Sequence, residues 1–185
     1  MELGVGGSRP PYRTKKMNKD KKLKPSLPKG TKDYWGKELA LKKKLLLAIE
    51  NNFKRYGFSA LSTSPMELSS NIGNSLSDDV DNPMSDVFTF AEDGEQISLR
   101  YDLSAPLSRF YAQNYLTLPN PYKRYQIAEQ SIFRREKPGG PGSGRYKIFG
   151  QCDCDIIGRN FNSSIANAEL CNLIASTLLI WLKKD

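Results

Sequence analysis

The segment FRREKPGGPGSGRYKIFGQCDCD, Phe133 to Asp155, holds the chain's densest set of reactive side chains. Arg134 and Glu136 share one face of a short strand, a loop rich in Pro and Gly follows, and a second strand returns. Successive side chains of a strand point to opposite faces. Arg145, Lys147, Phe149, Gln151, Asp153 and Asp155 therefore fall on one face, and Tyr146, Ile148, Gly150, Cys152, Cys154 and Ile156 on the other. The first face runs from two cations, through an aromatic and an amide, to two carboxylates. Guanidinium groups offer planar, paired donors to phosphate or carboxylate, an aromatic ring can stack on a base, and carboxylates suit an ammonium group. A ligand with phosphate at one end and an amine at the other matches that order, as ATP with an amino acid would. An exposed, ion-paired strand is the alternative. The second face is apolar and is expected to be core, with Gly150 leaving room for another backbone.

The loop KPGGPGSG is not a P-loop, because no Gly-Lys-Ser/Thr follows and no helix comes next. A flexible loop flanked by cations can close over a nucleotide or an RNA end; a plain hairpin loop is equally compatible. The segment LRYDLSAPLSRF places Arg100, Asp102 and Ser104 at alternate positions just before a helix. Asp102 is a candidate partner for an ammonium or imidazole group, with helix capping by Asp102 or Ser104 as the competing role. Cys152, Cys154 and Cys171 are an odd set in a chain without His, so a four-ligand zinc site is not expected and a reducing, cytoplasmic setting is.

These residues need elements to hold them. Order is expected from about Pro28, with Thr31 or Asp33 capping a helix over 34–56 whose apolar stripe is Leu39, Leu45, Leu46, Ile49 and Phe53 and whose end is Gly57. FSALSTSPMEL reads as a strand ending at or just past Pro65, and 67–86 as a polar helix-loop insertion. A hairpin is expected over 87–101 with its turn at Glu92-Asp93-Gly94, then a helix with Pro106 in its first turn. A turn and a strand pair follow over 118–136, and a helix over 164–182 closes the chain. The order predicts an α+β fold, an antiparallel sheet flanked by helices.

The chain's 185 residues suit one domain or part of a larger one. Its net charge of +8 is uneven: residues 1–32 hold ten Lys/Arg against two Asp/Glu, and residues 33–185 eighteen of each. Residues 1–25 are read as a disordered basic tail and 26–185 as the folded part, without a broad electrostatic footprint for nucleic acid. No apolar run approaches the roughly 20 residues of a membrane span, and no signal or transit peptide is expected.

LPKGTKDYW, YGFSALSTSPMEL, LRYDLSAPLSRF and FRREKPGGPGSGRYKIFGQCDCDIIG together resemble the N-terminal part of the catalytic domain of class II aminoacyl-tRNA synthetases, specifically the histidyl-tRNA synthetase family, over about residues 25–185. The resemblance implies that the stretch ending at Pro65 is motif 1, at a homodimer interface, and FRRE is motif 2. It implies ATP contacts for Arg134 (α-phosphate and substrate carboxylate, the catalytic role), Glu136 (adenine amino group), Arg145 (terminal phosphates) and Phe149 (adenine stacking). Asp102, Ser104, Gln151 and Asp155 would surround the histidine. The partners implied are histidine, ATP with Mg2+, and tRNA-His, whose acceptor end would meet the 137–144 loop. Such enzymes are expected to continue through a histidine-specific segment, motif 3 and an anticodon-binding domain, so the 185 residues are expected to be inactive alone. The alternative is a non-catalytic relative such as the regulatory subunit of ATP phosphoribosyltransferase.

Overall fold

The computed structural model describes residues 24–72, 86–135 and 144–182. Their elements run α1 (Gly36–Arg55), β1 (Ser59–Ala60), β2 (Met66–Leu68), α2 (Ser69–Ile72), β3 (Thr89–Glu92), β4 (Glu95–Leu99), α3 (Ser104–Asn114), β5 (Tyr122–Phe133), β6 (Ile148–Ile157) and α4 (Ser163–Leu182). Two three-stranded sheets result, ordered β1-β5-β6 and β2-β4-β3. All neighbours are antiparallel except β1 and β5, which run parallel. The fold is mixed α and β, as the element order predicts. No helix among the described residues is long and apolar enough to cross a membrane.

The apolar stripe of α1 turns Phe53 into a core with Phe58, Tyr125 of β5 and Leu173 of α4. Asn52, buried beside it, donates Nδ2 to the Leu173 carbonyl and to Thr177 Oγ1, which ties α1 to α4 at a fixed height. Gly57 ends α1 at a positive φ of 75°, a conformation that glycine adopts without a Cβ penalty. The start of α1 differs from expectation. Neither Thr31 nor Asp33 caps it; Trp35 is the cap residue and makes no side-chain bond. The preceding segment is claimed by the sheet instead, because Lys147 N–H donates to the Gly30 carbonyl at 2.7 Å and Gln130 Nε2 to the Lys32 carbonyl. Thr31 Oγ1 closes its own turn onto Pro28.

FSALSTSPMEL is not one strand. Ser59–Ala60 pairs with β5, and Met66–Leu68, just past Pro65, pairs with β4 in the other sheet. Proline has no N–H to give a ladder, and here the chain passes from one sheet to the other. Arg100 fastens that crossing. It is buried, donates from Nε to the Ser131 carbonyl at 2.8 Å and from Nη1 to the Thr63 carbonyl at 2.9 Å, and its own N–H meets the Pro65 carbonyl. The β3–β4 hairpin forms as expected, with Asp93 and Gly94 at φ 49° and 81°.

The stretch 122–133, expected to hold a strand pair, is a single long strand with a bulge. Ala128 pairs with Gln151 and Ile132 with Phe149, so residues 129–131 face Gly150 alone. Gln130 absorbs the bend at φ 45°. A Cβ on Gly150 would lie 3.3 Å from the Ala128 carbonyl oxygen, so the glycine does admit another backbone, that of the bulge.

Candidate functional site

The β5–β6 register decides which side chains share a face. Arg124 lies opposite Asp155, Gln126 opposite Asp153, and Ala128 opposite Gln151, and beyond the bulge Ile132 lies opposite Phe149. Because paired residues project to the same side, the sorted face of β6 meets Arg124, Gln126, Ala128 and Ile132. The other face is only partly the core expected of it. Cys154 and Ile156 pack against the Phe53 cluster, but Cys152 is exposed beside an open cavity of about 340 Å3 between α1 and the bulge. Burial pushes the Cys154 thiol up to about 11, with the nearby Asp153 and Asp155 adding to the effect.

Leu103 brings the second segment to the sorted face. It is wholly buried, and it packs with Ala128, Ile132 and Phe149. Burying a leucine contributes about 1.5–3 kcal/mol, and here it seats the start of α3 on the sheet with Asp102 and Ser104 on either side. Asp102 Oδ1 accepts from the N–H groups of Ser104 and Ala105, both at 3.1 Å. Its Oδ1 therefore does cap the start of α3.

Arg134 joins the two segments. Its N–H continues the ladder to the Lys147 carbonyl at 2.9 Å, and its Nε donates to the Tyr101 carbonyl at 3.2 Å. The guanidinium carbon stands 4.1 Å from the Tyr101 ring centre and 5.2 Å from that of Phe149, within the range of cation–π attraction. The structure thus gathers Asp102, Ser104, Arg134 and Phe149 around one end of the sorted face, with Gln151 and then Asp155 further along β6. Arg145 is exposed just ahead of β6. Glu136 and loop residues 137–143 lie outside the described residues, as do the N-terminal 23 residues of the basic segment.

Arg124 is the residue that sequence reasoning missed. Its side chain is wholly buried, Nη2 donates to Asp153 Oδ2 at 2.9 Å, and the same nitrogen forms an ion pair with Asp155 Oδ2. Burial pushes the Asp155 carboxyl above its ordinary range; Arg124 opposes that and Asp153 reinforces it. The only sequence signal was position: Arg124 belongs to a run of twelve that the register makes a central strand.

Among the described residues no group of three or more His, Cys, Asp or Glu is placed to hold a metal ion. Asp153 accepts a hydrogen bond from Arg124 Nη2, and Asp155 pairs with the same nitrogen by charge.

No protein-family model matches the chain. The architecture is that of aminoacyl-tRNA synthetases: it superposes on histidyl-tRNA synthetase from Nostoc sp. PCC 7120 with a TM-score of 0.68 and 25% identity, over 84% of this chain and 34% of that one. A Bacillus halodurans protein described as an ATP phosphoribosyltransferase regulatory subunit/histidyl-tRNA synthetase shares the fold equally well, with a TM-score of 0.68 at 20% identity, over 85% of this chain and 38% of that one. In sequence the chain is 58% identical over 170 residues to histidine–tRNA ligase from Pelagibacter ubique, and 41% identical over 168 residues to that from Ruegeria pomeroyi. It therefore belongs to the histidyl-tRNA synthetase family. These matches take in 91% and 88% of the chain but 35% and 32% of the relatives, so it spans about a third of their length.

Proposed function

We propose that this chain is part of the catalytic domain of a histidine–tRNA ligase of class II, and that the activity belongs to a protein of its relatives' length rather than to these 185 residues alone. The observation that carries the reading is the joining of two distant segments by Leu103 and Arg134: a guanidinium stacked on aromatic rings at one end of a face whose other end is acidic. In this reading Arg134 binds the α-phosphate of ATP and the histidine carboxylate. The carboxylate oxygen attacks the α-phosphorus, the bond to pyrophosphate breaks, and histidyl-adenylate forms; Arg134 stabilises the charge that develops on the phosphoryl oxygens. Phe149 stacks on adenine, Arg145 holds the terminal phosphates, and Glu136 reads the adenine amino group. Asp102, Ser104, Gln151 and Asp155 orient histidine through its amine and ring N–H groups, so the reacting atoms meet without a further entropic cost. The 3′-terminal ribose hydroxyl of tRNA-His then attacks the adenylate carbonyl carbon and releases AMP, with the 137–144 loop at the acceptor end. In this reading magnesium enters with the nucleotide phosphates.

The reading also takes the protein to be cytoplasmic and a homodimer through the segment ending at Pro65. The test is Arg134→Ala in the full-length protein. Loss of one charge-stabilising donor is expected to lower kcat for histidine-dependent pyrophosphate exchange by about 100- to 1,000-fold. An unchanged kcat would remove Arg134 from the reaction.

A further inference from the structure

Arg124 combines complete burial with incomplete hydrogen bonding. It sits on the central strand with no exposed surface, and its Nε and Nη1 make no hydrogen bond among the described residues. A buried donor without a partner is costly, and a buried ion pair is often no more stable than a well-packed apolar pair. What the pair does provide is a fixed geometry. Asp153 and Asp155 are two residues apart on one face of β6, and Arg124 stands directly opposite Asp155; its Nη2 donates to Asp153 Oδ2 and pairs by charge with Asp155 Oδ2, an atom buried without a hydrogen-bond partner among the described residues. Gln151 Oε1, on the same face, is likewise buried without a hydrogen-bond partner among the described residues.

We propose that Arg124 is a positioning residue for histidine recognition: it holds the Asp155 carboxylate in place for the substrate without touching the substrate itself. The proposal rests on the reading of Asp155 as a histidine ligand. Two groups act on Asp155 by charge: Arg124 from β5 and Asp153 from its own strand. Tyr122 on β5 and Cys154 on β6 are the other titratable groups that feel Arg124. Burial and Asp153 both push Asp155 towards its neutral form, and Arg124 is the cation that opposes them. Without it, Asp155 takes up its proton at higher pH and is no longer clamped from the β5 side. A neutral, mobile carboxyl holds an amine or a ring N–H less well.

The test uses the full-length protein and its Arg124→Gln, Arg124→Lys, Asp155→Asn and doubly substituted R124Q/D155N variants. KM for histidine and kcat are read by pyrophosphate exchange across pH 5.5–8.5, a range of about three units around neutrality, alongside thermal melts. R124Q is expected to raise KM for histidine by about tenfold with kcat and KM for ATP nearly unchanged, and the defect should deepen as pH falls. R124K, which keeps the charge but not the fork, should recover part of the loss, and in the D155N background R124Q should add nothing. A lower melting temperature in R124Q with an unchanged KM profile, while D155N raises KM, would make Arg124 merely structural and overturn the proposal alone. If D155N leaves KM for histidine unchanged, the ligand role of Asp155 fails first, and the proposal falls with it. Should R124Q not fold, Arg124→Met, which removes the charge and keeps much of the bulk, decides: a KM profile for histidine superimposable on the parent protein's contradicts the role.

Discussion

Single side chains in this molecule do two jobs at once, and substitutions can separate them. Leu103 is a packing residue by burial and, in the proposed site, a support as well, because Asp102 and Ser104 flank it. Leu103→Ala is expected to cost about 2–5 kcal/mol of stability and to raise KM for histidine in whatever fraction stays folded. Denaturant melts and exchange kinetics measured together check both parts. Cys154 offers a pH prediction. The unfolded thiol ionises near 9 and the folded one near 11, so the folded chain binds that proton more tightly. The thiol's contribution to stability is thus full below pH 9 and is lost as pH rises towards 11. Its alkylation at pH 8 should be slow, since only the thiolate reacts. Mass spectrometry of iodoacetamide-treated protein reads this directly; fast labelling of Cys154 in the native state would contradict it.

At the scale of elements, the β5–β6 pair sets the site's register, and its bulge is the vulnerable point. Gly150→Val puts side-chain atoms against the Ala128 carbonyl, where even a Cβ lies at 3.3 Å. The expected cost is about 1–3 kcal/mol, together with a loss of exchange activity larger than the loss of stability explains, because Phe149 and Gln151 flank the glycine. The strand scale is also where sequence reading succeeds and fails most clearly. The alternation along 145–155 is visible because a strand has a period of two, and Asp93-Gly94 marks the β3–β4 turn because few residues accept a positive φ. Arg124 is invisible by the same logic. A basic residue beside Lys123 reads as solvated until β1 pairs on one side of β5 and β6 on the other, and those pairings join residues 65 and 31 positions apart. The missed bulge and the late start of α1 have a similar origin: each is decided by backbone pairing between distant segments, Ala128 with Gln151 and Ile132 with Phe149 on either side of the bulge, and Lys147 with Gly30 ahead of α1.

The whole chain spans about a third of the length of the histidine–tRNA ligases it matches. Several apolar side chains of α4, among them Ile174, Leu178 and Leu179, are more than half exposed in these 185 residues. The central claim is that the gathered residues belong to a site that activates histidine. Its most direct test is ATP–pyrophosphate exchange driven by each amino acid in turn, on these 185 residues and on the protein extended to its relatives' length. The account predicts exchange in the extended protein with histidine alone, and none from the 185 residues. Absence of exchange in the extended protein would contradict it and favour a binding or regulatory relative; exchange by the short chain would show that the residues described here suffice.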